Sequence, residues 1–370
     1  MTEKEIQEID TAESAPAEDP AGATAKDTET TASKQSKKPI DPPAMLTVST
    51  SPHIKSPVTT RSIMIDVLIA LAFPCAWGIY VFGPRALSLL LISVICSVGF
   101  EALYQLLLKK PITVTDCSAA VTGLLLGMNL PATVPLWIPI IGSFFAIVVV
   151  KQLYGGIGKN FMNPALAARA FLMLAWPAPM TATPNPYTSS SAWALSVDSV
   201  DIVASATPMQ LLKNGTIPDT GLFNMLLGAK AGTIGEVASL LLIGGGIYLL
   251  FRRVITWHIP VSFITTVALI SYLFPQNTAE RVEFVACEVI CGGLMLGAIF
   301  MATDYATTPV TANGRLLFGV GCGAITMFIR YFGGYNEGIT FAILIMNTLV
   351  WYIDNLTKPK RFGGVPNNGK

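Results

Sequence analysis

The sequence predicts an all-α polytopic membrane protein of about ten transmembrane helices, arranged as two inverted five-helix repeats with broken helices. Three observations carry this expectation. Of the 370 residues, 52% are hydrophobic and only 13% are charged, against roughly 25% charged in a soluble domain. Mean hydropathy is +0.56. Apolar runs of spanning or near-spanning length recur along the chain, and its lysines and arginines cluster on alternate connecting segments.

The chain begins with a polar stretch. Nine of its 23 acidic residues fall between Glu3 and Glu29. Residues 1–42 are rich in Thr, Ala, Glu, Ser, Lys and Pro, and no apolar run interrupts them. They are expected to form a disordered cytoplasmic tail and not a signal peptide.

Candidate spans follow at Ile63–Phe82, Ala86–Leu108, Ser118–Leu130, Val134–Val150 and Pro164–Trp176. A second series runs through Val237–Phe251, Val254–Phe274, Phe284–Thr303, Leu316–Tyr331 and Ile339–Ile353. The third and fifth are short and bounded by Gly or Pro, a pattern of broken helices that line a protein cavity. An even count puts both termini on one side. With that side cytoplasmic, 17 Lys and Arg lie near the inner face, while Arg85, Lys213, Lys230, Arg281 and Arg330 lie outside. Gly123-Leu-Leu-Leu-Gly127 echoes Gly293-Leu-Met-Leu-Gly297, and Gly155-Gly156 before the fifth span echoes Gly333-Gly334 before the tenth. Each echo lies five spans from its partner, so the two halves are expected to be inverted. The organisation is then 43–176 as the first five-helix half, 177–235 as an outer loop, 236–355 as the second half and 356–370 as a cytoplasmic tail.

Several chemistries have little footing. Net charge is +1, so nucleic-acid binding has no electrostatic basis. The six cysteines include no Cys-x-x-Cys pair, and His53 and His258 are far apart in sequence, so no metal site is expected. No catalytic group is expected either: without a Gly-x-Gly-x-x-Gly or a cluster-binding cysteine set, nucleotide and iron–sulfur sites belong on other chains.

Candidate functional positions are of three kinds. In the long outer loop, Thr207 precedes Pro208 and suits the N-cap of a helix, with Pro208 at its first position. At Asn160-Phe-Met-Asn163-Pro164 the chain breaks, freeing backbone groups beside two amide side chains. The carboxylates Asp66, Glu101, Asp116, Glu288 and Asp304 fall in or beside apolar spans, where ionisable groups default to function. Asp116 and Asp304 flank the broken segments and are the candidates for an ion path. The alternative for each is pairing with Arg61, Lys109 or Arg315.

From Leu46 to Asn355 the sequence resembles the NqrB/RnfD family. The resemblance rests on Ser49-Thr-Ser-Pro-His53 and on Gly155-Gly-Ile-Gly-Lys-Asn-Phe-Met-Asn-Pro-Ala165. It rests also on Ala204-Ser-Ala-Thr207, Met301-Ala-Thr-Asp304 and Thr308-Pro-Val-Thr311. Chain length favours the Rnf branch over the sodium-pumping quinone-reducing branch.

The resemblance implies FMN bound covalently to Thr207 through a phosphoester, installed by a flavin transferase. The family pattern at the site is Asp, two residues, then Ser-Gly-Ala-Thr. Asp201, Ala206 and Thr207 match it, while Ala204 and Ser205 depart from it. It implies a second, non-covalent riboflavin, for which Asn160 and Asn163 are the candidates. It implies as partners the other Rnf proteins: the flavin-carrying RnfG at the outer face, RnfA and RnfE in the membrane, and RnfB and RnfC on the cytoplasmic side. The implied activity is electron transfer from ferredoxin to NAD+ coupled to Na+ or H+ translocation. The implied location is the prokaryotic inner membrane, with both termini cytoplasmic and the flavin loop outside. A urea- or ammonium-channel-like transporter is the alternative that the architecture alone leaves open.

Overall fold

A computed structural model describes residues 58–183, 207–218, 221–228, 230–237, 239–276, 281–335 and 337–359. The expected disordered tail, the Ser49–His53 motif, Asp201 and Ser205 lie outside these residues. Among the described residues the fold is entirely helical.

The first half begins with α1 (Thr60–Phe82), capped by the Thr59 side chain on the Ser62 N–H at 3.2 Å. It stops at Gly83, whose φ of 76° lets Pro84 start α2 (Pro84–Leu107) at once. Then come α3 (Ser118–Met128), α4 (Trp137–Gln152, π-helical from Phe145) and α5 (Pro164–Ala175). Three short helices follow: α6 (Pro177–Thr181), α7 (Pro208–Lys213) and α8 (Leu222–Leu227). The second half comprises α9 (Ser239–Phe251), α10 (His258–Leu273), α11 (Arg281–Ile290), α12 (Leu294–Met301), α13 (Ala312–Phe332) and α14 (Ile339–Thr357).

Four of these helices, α1, α2, α13 and α14, are long and apolar enough to cross a membrane. α11 and α12 would make a fifth, bent by 58°. Shorter apolar helices (α3, α4, α5, α9 and α10) occupy the remaining expected spans. At about 1.5 Å per residue, α3 is only about 16 Å long, roughly half a bilayer core. The break in the eighth span departs from the sequence expectation of a continuous run from Phe284 to Thr303. Gly292 and Gly293 adopt φ of 70° and 69°, a left-handed pair that no helix continues through.

The outer surface of the long helices is apolar. Phe73, Ile95, Phe328 and Trp351 are each at least 65% exposed. An apolar surface of this kind suits lipid rather than water. Polar groups are turned inward, among them Asp66, Glu101, Lys151, Arg169, Glu288 and Arg330.

Helices meet closely where glycine allows it. α1 packs on α9, α2 on α3 and α4, α10 on α13, α13 on α14, and α5 on α14. At the α1–α9 crossing a Cβ on Gly245 would stand 2.6 Å from the Ala70 carbonyl oxygen, whereas one on Gly244 would meet nothing. Gly245→Leu is therefore expected to destabilise the protein by about 1–3 kcal/mol, and Gly244→Leu to leave it unchanged. Thermal unfolding of both variants in detergent measures the difference.

Candidate functional site

Where α1 begins, the structure contains a cavity of about 500 Å3, within the ~300–1,000 Å3 range of small-molecule and cofactor sites. Much of its wall is apolar, with Ile63, Met64, Val121, Leu249 and Phe300 contributing. Its polar lining includes Ser118, Lys151, Asn160, Asn163, Thr303 and Asp304.

The local sequence explains how these groups arrive there. Gly155, Gly156 and Gly158 all take positive φ and turn the chain out of α4. Asn163 then caps α5, accepting the Ala165 and Leu166 N–H groups at 3.0 and 3.3 Å. Its Nδ2 donates to the Met301 carbonyl at 3.1 Å, tying the break to the end of α12. Asn160 donates to the Met162 carbonyl at 3.1 Å and hydrogen-bonds the Asp304 carboxyl. Burial pushes Asp304 above the ordinary carboxylate range, against the Ala306 N–H and the Thr307 and Asn160 side chains, which favour its charged form.

Asp116 approaches the same place from behind. Its Oδ1 accepts the Ser118 N–H at 2.8 Å and the Ser118 hydroxyl at 2.6 Å. Lys151 Nζ donates to that hydroxyl at 2.6 Å and pairs with Glu101 at 2.8 Å. The structure thus gathers Asn160, Asn163 and Asp304 around one cavity, with Asp116 one hydroxyl away.

Thr207 stands elsewhere. It is half-buried and caps α7 in a capping box: its hydroxyl accepts the Gln210 N–H, and Gln210 Oε1 accepts the Thr207 N–H, both at 3.3 Å. Met209 and Leu212 of α7 pack with Phe284, Cys287 and Cys291 of the α11 region in a small separate core. Lys213 Nζ donates to the Gly333 carbonyl at 2.5 Å, just past the end of α13. The opposite end of α13 lies beside residue 256 through Arg315. With 21 residues, α13 spans about 30 Å. The cavity and Thr207 therefore occupy opposite ends of the bundle.

Three of the intramembrane carboxylates are paired, but not with the cations expected from sequence. Asp66 pairs with Arg252 at 3.1 Å and accepts the Tyr248 hydroxyl at 3.0 Å. Glu101 pairs with Lys151, and Glu288 with Arg330 at 2.5 Å. Arg61, Lys109 and Arg315 make none of these pairs. Sequence reasoning assigned no pairing or site role to Arg169, Lys230, Glu236 or Glu337, all held inside the protein or at its edge. Four of the cations that set the expected orientation, Lys151, Arg169, Lys230 and Arg330, are thus internal. Without them the bias is 15 against 3 (17 − 2 and 5 − 2), still in the same direction.

Comparison with known proteins matches residues 47–363 to the NQR2, RnfD, RnfE family. A relative from Acetobacterium woodii, the D subunit of its Na(+)-translocating ferredoxin:NAD(+) oxidoreductase complex, is 48% identical over 86% of this chain and 95% of its own. The D subunit of the proton-translocating ferredoxin:NAD(+) oxidoreductase complex of Clostridium ljungdahlii is 39% identical over 86% and 96%. The D subunit of an ion-translocating oxidoreductase complex from Stutzerimonas stutzeri is 36% identical over 81% and 91%.

Lys151→Met would leave Glu101 buried with its ammonium partner gone, at a cost of about 3–5 kcal/mol. The double variant with Glu101→Gln is expected to recover most of that loss. Thermal midpoints of the single and double variants test whether the pair acts as one unit.

Proposed function

The chain belongs to the NQR2, RnfD, RnfE family, and on that premise we propose that it is the D subunit of an Rnf-type, ion-translocating ferredoxin:NAD+ oxidoreductase complex. The observation that carries the reading is the identity of 48% to a D subunit of such a complex across 95% of the relative's length. Oxidoreductase relatives favour redox over the solute-channel alternative. The lipid bilayer and the other Rnf proteins, RnfA, RnfB, RnfC, RnfE and RnfG, are the surroundings this reading supplies.

In this reading the chain crosses the inner membrane ten times. Four long helices, one bent pair and five shorter apolar helices supply the segments. Packing supports two inverted halves. Corresponding helices face each other at α1–α9 and α5–α14, as a two-fold axis demands, and α2 on α4 is matched by α10 on α13. Lys151 and Arg330 occupy corresponding ends of α4 and α13. The lysine- and arginine-rich side, with the cavity, faces the cytoplasm. Thr207 faces outward.

The two ends fit two flavins. The half-buried Thr207 hydroxyl is fixed at the start of α7 by its capping box, where it accepts the Gln210 N–H and keeps its own O–H for a phosphoester to FMN installed by a transferase. The inner cavity pairs an apolar wall with the Asn160 and Asn163 amides and the N-terminus of α5, a setting for a non-covalent riboflavin. Bound flavins would supply the electron-transfer chemistry. The chain's residues fix their positions, exclude water and place Asp304 and Asp116 beside the inner site as ion-handling groups.

Flavin fluorescence on a denaturing gel tests the outer site in a host that carries the transferase. A fluorescent wild-type band that vanishes in Thr207→Ala is the expected result, and a dark wild-type band removes the covalent flavin from the account. Acid extraction tests the inner site. Asn160→Leu is expected to lower extractable riboflavin at least tenfold while the covalent band stays. Equal extractable flavin in both proteins would move the riboflavin away from the cavity.

A further inference from the structure

Towards the Thr207-bearing end lies a group of buried charges that neither flavin site uses. Its centre is Glu236, 94% buried in the segment that leads into α9. That segment is pinned to the end of α3: the Gly235 N–H donates to the Met128 carbonyl at 2.7 Å, and the Ile234 N–H to the Leu130 carbonyl at 3.2 Å. The carboxyl is therefore held between the end of α3 and the bend at Gly293, with no freedom to swing into solvent. A Cβ on Gly293 would stand 3.1 Å from Glu236 Oε1.

The hydrogen bonds of Glu236 do not close as an ionised carboxylate. Oε2 accepts the Thr233 N–H at 3.2 Å. Among the described residues no donor reaches Oε1. The carboxyl of Glu337 lies beside it and bears on it electrostatically. A buried carboxylate with one oxygen unpartnered, beside a second carboxylate, is costly to ionise, and one proton on the pair removes that cost.

The cations nearby do not substitute for it. Arg169 pairs with Glu337 through Nη2 and donates to Asn129 Oδ1 through Nη1 at 2.9 Å. Lys230 directs two of its three N–H donors to the Ser239 hydroxyl at 2.7 Å and the Ile290 carbonyl at 2.8 Å. It makes no ion pair with Glu236 among the described residues. Cys291 also lies beside Lys230, and Arg330 is committed to Glu288.

We propose that Glu236 and Glu337 form a proton-binding site, holding one exchangeable proton between their carboxyls at the Thr207-bearing end of the bundle. The proton is covalent on one carboxyl and hydrogen-bonded to the other. It arrives from water through Glu337, whose side chain is 22% exposed, and leaves the same way, with no oxidant or reductant involved. A proton suits the place better than a metal cation, because Arg169 and Lys230 already face the pair and no shell of free oxygens surrounds it. The site depends only on the chain's own side chains, so it stands or falls separately from flavin binding.

Infrared difference spectroscopy of the full chain at neutral pH, in H2O and D2O, reads the protonated carboxyl directly. Wild type is expected to show a carboxylic-acid carbonyl band that shifts in D2O. Glu236→Gln and Glu337→Gln should each lose the same band, because they share one proton. Glu288→Gln should keep it, and so should wild type in saturating Na+. An undiminished band in either folded dyad variant overturns the proposal, as does a band abolished by Na+ or by Glu288→Gln. If Glu236→Gln does not fold, Glu337→Gln at the partly exposed partner decides alone.

Discussion

A helix that ends inside an apolar protein leaves carbonyl and N–H groups that must find partners, and that constraint organises this molecule. α3 stops halfway, and the carbonyls of Met128 and Leu130 at its end are taken by the N–H groups of Gly235 and Ile234 in the segment that leads into α9. α5 starts halfway, and Asn163 satisfies its first N–H groups while reaching the Met301 carbonyl of α12. At the third break, Arg330 gathers the carbonyls of Glu288, Cys291 and Glu337. One of these breaks is closed across the two halves and another by the segment that joins them, so the first half does not complete its hydrogen bonds alone.

The same breaks create the functional surfaces. A turn of positive-φ glycines and an Asn cap open the cavity near the start of α1. The glycine bend between α11 and α12 makes room for Met209, which places α7 and Thr207 at the other end. The interior also holds buried charges, several of them paired. Such pairs add little net stability over a well-packed apolar core, but the loss of one partner is costly. Their value here is positional: each fixes one element against another in a bundle where lipid gives no hydrophobic drive between helices.

Much of this was legible in the sequence. The ten apolar segments follow from hydropathy, and the Thr207 cap and the Asn163-Pro164 helix start follow from local rules that need only a few neighbouring residues. The bend at Gly292-Gly293 was written there too, as two adjacent glycines, but a long apolar run concealed it. The charge partners were not legible. Glu101 meets Lys151, Asp66 meets Arg252, and Glu236 meets Glu337 across large stretches of chain. Spacing in sequence carries no information on such contacts, so nearby Arg61, Lys109 and Arg315 looked like equally good partners.

The central claim is that the cavity and the Thr207 segment open on opposite faces of one membrane. Impermeant thiol labelling tests it most directly, using single cysteines in a background freed of the native six. Two exposed positions serve: Phe223 in α8, at the Thr207 end, and Ile112, between α2 and α3 at the cavity end. Labelling of Phe223→Cys in intact cells, with Ile112→Cys labelled only after permeabilisation, is the predicted result. Labelling of both positions from the same side would contradict the inverted two-half arrangement and the separation of the two sites.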